Sequence, residues 1–174
     1  MNRKLLISEL EHRDIDELVQ LVNSAYRGES SKKGWTTEAD LLDGIRTDAG
    51  SIRSLISAPD SVILVYKDEA IKGCVYLHRQ QSSLYLGMLT VAPEKQANGI
   101  GKHLLEAAEQ YACQHSCTTI IMTVIDVRKE LIEWYERHGY KATGETKPFP
   151  DDPAFGIPRQ PLQFLVLQKE VVAA

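Results

Sequence analysis

Two glycines in the run Gln96-Ala97-Asn98-Gly99-Ile100-Gly101-Lys102 stand where a helix should begin, and that placement suits an anion. A strand-like stretch ends at Val91-Ala92-Pro93, a short polar link follows, and Gly99-Ile100-Gly101 opens a helix-periodic segment. The first turn of a helix leaves backbone N–H groups unpaired and carries a partial positive charge. Glycine lets a ligand approach that backbone closely. Lys95, Lys102 and His103 add positive or protonatable side chains. The run therefore suits a pyrophosphate. Glycines at a helix start also serve as plain turn or packing residues, and on these residues alone both readings stand. Neither common nucleotide fingerprint is present. No Gly-Lys-Ser/Thr closes a P-loop, and the dinucleotide motif needs three glycines and a ribose-binding acid further on.

Other residues invite chemistry less specifically. Tyr135 sits with Leu131 and His138 at i−4 and i+3 on one helical stripe, which is first a packing pattern. Cys113-Gln114-His115-Ser116-Cys117 has no ordinary zinc spacing and no second ligand pair follows it. Buried or incidental thiols explain it better. The stretch from Phe149 to Arg159 lacks regular patterning, and long irregular loops are often functional. Asp151 and Asp152 there would attract a cationic amine, whereas Arg159 would hold a carboxylate. Those are opposite substrates, and solvated charge is the ordinary explanation of both.

The chain around these residues is 174 long, enough for a single domain, 1–174, with a sizeable core. A net charge of −4 argues against a general nucleic-acid binder, because such affinity comes from clustered Lys and Arg. No apolar run reaches the roughly 20 residues that span a bilayer. The apolar start at Leu5-Leu6-Ile7 is too short for a signal peptide. Three cysteines, an odd number, fit a reducing compartment better than a disulfide framework. The expected location is the cytoplasm, with no membrane and no nucleic-acid partner.

Strand character is read at Lys4–Ser8, Ser61–Lys67, Ala70–Arg79, Ser83–Val91, Thr118–Ile125, Tyr140–Lys147 and Leu162–Glu170. Thr118–Ile125 is nearly all apolar, as for a strand buried on both faces. A first helix opens at Asp14, with Ile15, Leu18, Val19, Val22 and Tyr26 on one face. Thr36 or Thr37 caps a second, striped by Leu41, Leu42 and Ile45, and Ser51–Ile56 adds a short turn. The main helix runs from Gly99 to Gln114 with Ile100, Leu104, Ala107, Ala108 and Tyr111 inward. Another runs from Arg128 to His138 and stops at Gly139, the residue type favoured just past a helix end. Five of the seven prolines fall between Pro148 and Pro161, so that segment is a loop. Strands flanking a strand–helix–strand unit make a mixed α/β sheet.

With these elements in place, Leu84–Tyr111 resembles the acetyl-CoA-binding motif of the GNAT family of N-acetyltransferases. Its pattern is Gln/Arg-x-x-Gly-x-Gly/Ala after a strand closing in a Val-x-Pro-like turn, here Leu89-Thr90-Val91-Ala92-Pro93 before Gln96 to Gly101. The family's second motif is matched by Leu131-Ile132-Glu133-Trp134-Tyr135-Glu136-Arg137-His138-Gly139-Tyr140. The resemblance implies the GNAT-like acyl-CoA N-acyltransferase fold, a central, mostly antiparallel mixed sheet of six to seven strands flanked by helices. It implies acetyl-CoA as co-substrate and acetyl transfer to the primary amine of a small molecule or peptide, within a monomer or homodimer.

The resemblance also implies roles. Main-chain groups of Leu89 and Val91 would pair with the pantetheine arm, and amides of Gln96, Ala97, Asn98, Gly99, Ile100, Gly101 and Lys102 would hold the pyrophosphate. The sheet would splay between the strands ending at Val91 and near Asp126, with the thioester in the gap. Tyr135 would be the general acid for the thiolate. Glu38 would be the base, with Glu29, Trp35, Phe149 and Arg159 around the acceptor. Glu38 equally reads as a first-turn helix acid, and Trp35 as core. Many relatives carry Asn seven residues before the tyrosine. Here that place is Arg128, which would reach an anion or lie in solvent. The alternative function is a non-catalytic acyl-CoA-binding sensor or scaffold. A nucleotide binder is third, disfavoured by charge and missing fingerprints.

Overall fold

Apolar residues alternate along β3 (Ser61–Asp68), sending Val62, Leu64 and Tyr66 to one side and Ile63 and Val65 to the other, and all five are buried. A strand buried on both faces needs a layer on each side, and helices supply them. The computed structural model describes residues 6–26, 42–43, 46–93, 99–150 and 157–171, with the backbone alone at 42, 43 and 157. Its main sheet has seven strands in the order β1-β3-β4-β5-β6-β9-β7. The others are β1 (Ile7–Glu9), β4 (Ala70–Gln80), β5 (Ser83–Val91), β6 (Thr119–Ile125), β7 (Lys141–Pro148) and β9 (Gln163–Glu170). All neighbours are antiparallel except β5 and β6. A parallel pair needs a crossover, and α3 (Ile100–Gln114) provides it.

One core lies between the sheet and α3, where Leu104, Leu105, Ala108 and Ala112 meet Val75, Leu77, Leu84 and Ile120. Gly73 allows this approach, since a Cβ there would stand 2.9 Å from Ile100 and 3.0 Å from Leu104. The inward stripe of α3 is thus turned slightly from expectation: Leu105 and Ala112 are buried, and Ala107 and Tyr111 lie at its margin. The second core lies under α1 (Ile15–Tyr26) and α2 (Ala49–Ser57), where Leu18, Val22 and Ile52 pack on Ile63, Val65 and Cys74. Asp48 caps α2 by accepting from the Ser51 amide at 2.7 Å. The Asp14 carboxylate accepts from Lys67 at 3.1 Å.

Three expectations need correction. Leu42 is not on a helix. Leu42–Asp43 is a short strand, β2, paired antiparallel with β8 (Ile157–Pro158). A three-residue apolar stripe is too short to impose a helix against pairing with a distant segment. The proline-rich segment accordingly contains β8 and is not wholly loop. β6, expected to be buried on both faces, alternates instead, with Thr119, Ile121 and Thr123 only half-buried. The cap residues Thr36 and Thr37 lie outside the described residues.

Candidate active site

The site begins with a defect in β5. Leu84 and Leu86 point toward α3, and strict alternation would send Met88 there too. Instead Met88 packs in the other core, with Cys74 and Val22. Opposite β4, Tyr76 pairs with Gly87 and Cys74 with Thr90, so Met88 and Leu89 together face the single residue Val75. This is a β-bulge, and Met88 takes φ 51°, rare for a residue with a side chain. Its carbonyl is kept satisfied by the Thr90 hydroxyl at 2.9 Å and the Cys74 thiol at 3.5 Å. The bulge returns Leu89 and Val91 to the α3 side.

β5 also leaves β6. The two pair only from Ser83–Thr119 to Tyr85–Ile121. Beyond Tyr85, β6 offers no partner to that edge of β5, and the strands diverge. The larger of two cavities in the gap, about 410 Å³, is lined by Leu89, Thr90, Val91, Gly99, Gly101 and Trp134 among others. The volume is ordinary for a small-molecule pocket. Lys102, Arg128 and Arg137 line it, and no carboxylate does among the described residues. At its end Gly99 caps α3 with φ 81°, a left-handed conformation that glycine adopts without strain. Gly101 lies against Trp134, where a Cβ would be 3.2 Å from two ring carbons. Helix start and indole therefore close on the same space.

The smaller cavity, about 230 Å³, continues from the first on the β6 side. Tyr85, Met88, Met122 and Thr123 line it, with Phe149 stacked on Phe164 at 5.3 Å. Tyr26, Leu89, Arg128, Leu131 and Tyr135 line both cavities, so the two meet there.

Tyr135 comes from α4 (Lys129–Arg137), whose Ile132 and Tyr135 are buried while Glu133, Glu136 and Arg137 face out. Its ring meets Trp134 and Tyr140 edge to face, at 5.2 and 5.8 Å. Burial pushes its phenol well above the usual tyrosine range. Tyr26 adds to that, and the Arg128 charge opposes it. Tyr135 is therefore a neutral hydrogen-bond donor at ordinary pH. The Tyr26 hydroxyl donates to the Leu89 carbonyl. Over the Tyr26 ring lie two guanidiniums, Arg46 with Cζ 5.4 Å from the centroid and Arg128 at 5.7 Å. Arg128 is only 4% exposed, which settles the alternative left by its sequence position against solvent.

Of the residues singled out from the sequence, the structure gathers Leu89, Val91, Gly99, Gly101, Lys102 and Tyr135 around the larger cavity and places Phe149 on the smaller one. The Ile100 side chain turns into the core. Arg159 is exposed and lines neither cavity. Gln96, Ala97, Asn98, Glu29, Trp35 and Glu38 lie outside the described residues. Sequence reasoning missed Arg46 and Arg137, and placed Tyr26 only as a packing residue. Among the described residues no three metal-ligating side chains converge, and no helix is long and apolar enough to cross a membrane.

A strand pair that opens around a helix start, with a cationic slot on one side, is the architecture of acyl-CoA-dependent acyltransferases. The acetyltransferase (GNAT) domain matches residues 45–150, well over half the chain. The chain belongs to the GNAT acetyltransferase family, N-acetyltransferases that use acetyl-CoA as co-substrate. The fold is shared with the ribosomal-protein-S18-alanine N-acetyltransferase from Escherichia coli, at 14% identity and a TM-score of 0.71, over 97% of this chain and 94% of that one. A ribosomal-protein-alanine N-acetyltransferase from Brucella melitensis aligns at 19% identity and TM-score 0.70, over 95% and 99%. An aminoglycoside 6′-N-acetyltransferase complexed with coenzyme A aligns at 18% identity and TM-score 0.69, over 97% and 98%.

Proposed function

We propose that the enzyme transfers acetyl from acetyl-CoA to a primary amine by direct attack within a ternary complex. The observation that carries this is the meeting of two cavities at Leu89 and Tyr135. The larger would hold the pantetheine arm along the β5 edge, as an extended peptide adds to a sheet. Its phosphates would lie at the start of α3, beside Lys102 and Arg137. The smaller would hold the acceptor. The amine nitrogen attacks the thioester carbon, the C–S bond breaks, the amine gives up a proton, and the thiolate gains one. Tyr135, neutral and buried, donates a hydrogen bond to the sulfur as it becomes charged. A backbone N–H near Leu89 would polarise the carbonyl. Much of the acceleration is then positioning.

No carboxylate lines either cavity among the described residues, so the base remains Glu38, the candidate read from the sequence. Cys74 is fully buried and its thiol is pushed up to about 12 by burial, which disfavours an acyl-cysteine route. Three free thiols are consistent with a reducing cytoplasm. Two-substrate kinetics test the order of events. Varying acetyl-CoA at several amine concentrations should give intersecting double-reciprocal lines. Parallel lines, or acetylated protein after incubation without amine, would point to a covalent intermediate instead.

A further inference from the structure

Among the described residues, the charged side chains on the smaller cavity are both positive, which suits an anionic group on the acceptor. Two guanidiniums, Arg46 and Arg128, stand beside the Tyr26 ring on its wall, and among the described residues no Asp or Glu lines it. Their Cζ atoms lie 5.4 and 5.7 Å from that ring's centroid. Tyr26 holds both by cation–π attraction, and the backbone holds Arg46 in place. Asn23 on α1 accepts from the Arg46 amide at 2.7 Å and the Thr47 amide at 3.0 Å, and donates to the Thr47 carbonyl at 3.0 Å. Among the described residues no acidic side chain pairs with Arg46. Arg128 lies 4.0 Å from Glu130. A built arrangement of two planar forks is suited to a carboxylate.

We propose that the acceptor is a small amino acid-like molecule whose carboxylate is held by Arg46 and Arg128, and this rests on the acetyl-transfer reading of the site. Tyr26 sets the spacing. Its ring lies under both guanidiniums, and its hydroxyl is bonded to Leu89, where the two cavities meet. One small molecule can thus reach the arginines with its carboxylate and the thioester with its amine. Among the described residues of the remaining wall, Tyr85, Met88, Met122, Phe149 and Phe164 suit an apolar body, with Thr123 beside them. A cavity of about 230 Å³ is below the usual range for larger ligands, which favours a free amino acid over a chain.

The test compares phenylalanine, phenylalaninamide, phenethylamine, O-phosphoethanolamine and a tripeptide beginning with phenylalanine. Thiol release follows turnover, and the mass of the product confirms it. Phenylalanine should exceed its amide and phenethylamine in kcat/KM by about 10- to 100-fold, the size of a hydrogen bond to a charged group. Arg46→Gln should remove most of that preference by raising KM for phenylalanine, with acetyl-CoA affinity unchanged. Arg46→Lys should restore part of it. A merely structural Arg46 would lower all acceptors alike. Equal or better turnover of the amide, phenethylamine, the phosphate or the tripeptide overturns the carboxylate inference and leaves acetyl transfer standing. Acetyl-CoA binding with no turnover of any amine overturns both.

Discussion

Replacing Tyr135 by phenylalanine removes one oxygen and leaves the ring, so the edge-to-face packing on Trp134 and Tyr140 is kept. The effect on rate follows from what the hydroxyl can do. A thiol ionises near 8.5 and an ordinary tyrosine near 10, so complete proton transfer to the thiolate is uphill by about 2 kcal/mol. Burial raises the Tyr135 phenol further, and the uphill step grows. In the proposed mechanism the side chain would therefore help chiefly by hydrogen-bonding the sulfur while charge develops. A hydrogen bond to a charged group is worth about 1.5–3 kcal/mol, which is about 10- to 150-fold in rate. That lies at or below the lower end of the 10²–10⁴-fold typical of general acid catalysis. The rate should be read in a single turnover, because product release often limits steady-state kcat. Acetyl-CoA affinity, measured calorimetrically, should stay within about threefold of wild type, less than one tenfold step of 1.4 kcal/mol. A rate loss below about threefold would remove Tyr135 from the chemistry. A loss beyond about 10³-fold would mean that proton transfer is complete in the transition state, and the hydrogen-bond reasoning would be wrong.

The single-turnover rate should climb as the amine deprotonates and then stay level to pH 10, since the neutral Tyr135 donor persists below its raised pKa and is lost only above it. A decline below pH 10 that disappears in Tyr135→Phe would contradict that state. Gly101→Ala should weaken acetyl-CoA binding, because the new Cβ stands 3.2 Å from Trp134 at the cavity's narrow end. Overpacking of this kind costs roughly 1–3 kcal/mol, and an unchanged dissociation constant would show that the helix start can yield. Cys74 makes stability depend on alkaline pH. Its thiol ionises at about 12 when folded against 9.0 ordinarily, so its contribution is intact below pH 9 and lost between 9 and 12. Urea titrations should show wild type losing about 2 kcal/mol more than Cys74→Ala between pH 7 and 10.5; parallel losses would mean that the thiol stays accessible to solvent.

The strand positions and the place of the helix start were legible because their signals are local. Gly99 and Gly101 stand where the backbone must turn left-handed and pass an indole, and Gly139 adopts φ 95° just past α4, the conformation its position called for. The β5 bulge was not read, although Gly87 stands inside the strand pattern, where an isolated glycine often marks a bulge. Leu84, Leu86 and Met88 keep the alternation, and the left-handed residue is Met88 rather than the glycine beside it. What stabilises the bulge comes from β4, through the Cys74 thiol, and from Thr90 two residues on. Tyr26 was correctly read as inward-facing, but its hydroxyl reaches a carbonyl 63 residues away, which no helical period encodes. Arg46 gave no signal at all. Its place is set by Asn23, 23 residues earlier, through a backbone contact that exists only once α1 has packed.

These two kinds of legibility divide the site along its function. The slot proposed for the cofactor is shaped mainly by backbone: a strand edge, a bulge and a glycine-capped helix start. Few side chains alter such features without breaking them, so their sequence marks are sparse and recognisable. The smaller cavity is walled by side chains from separated stretches: Tyr26 on α1, Arg46 before α2, Tyr85 on β5, Arg128 before α4 and Phe149 after β7. Each can change with little consequence for the strand pairing proposed to carry the thioester. Tyr26 and Arg128 belong to both cavities and also hold each other. A substitution at Arg46 should therefore alter acceptor choice alone, whereas one at Arg128 should disturb acceptor and cofactor together. That difference would separate a charge serving the acceptor alone from one shared between acceptor and cofactor.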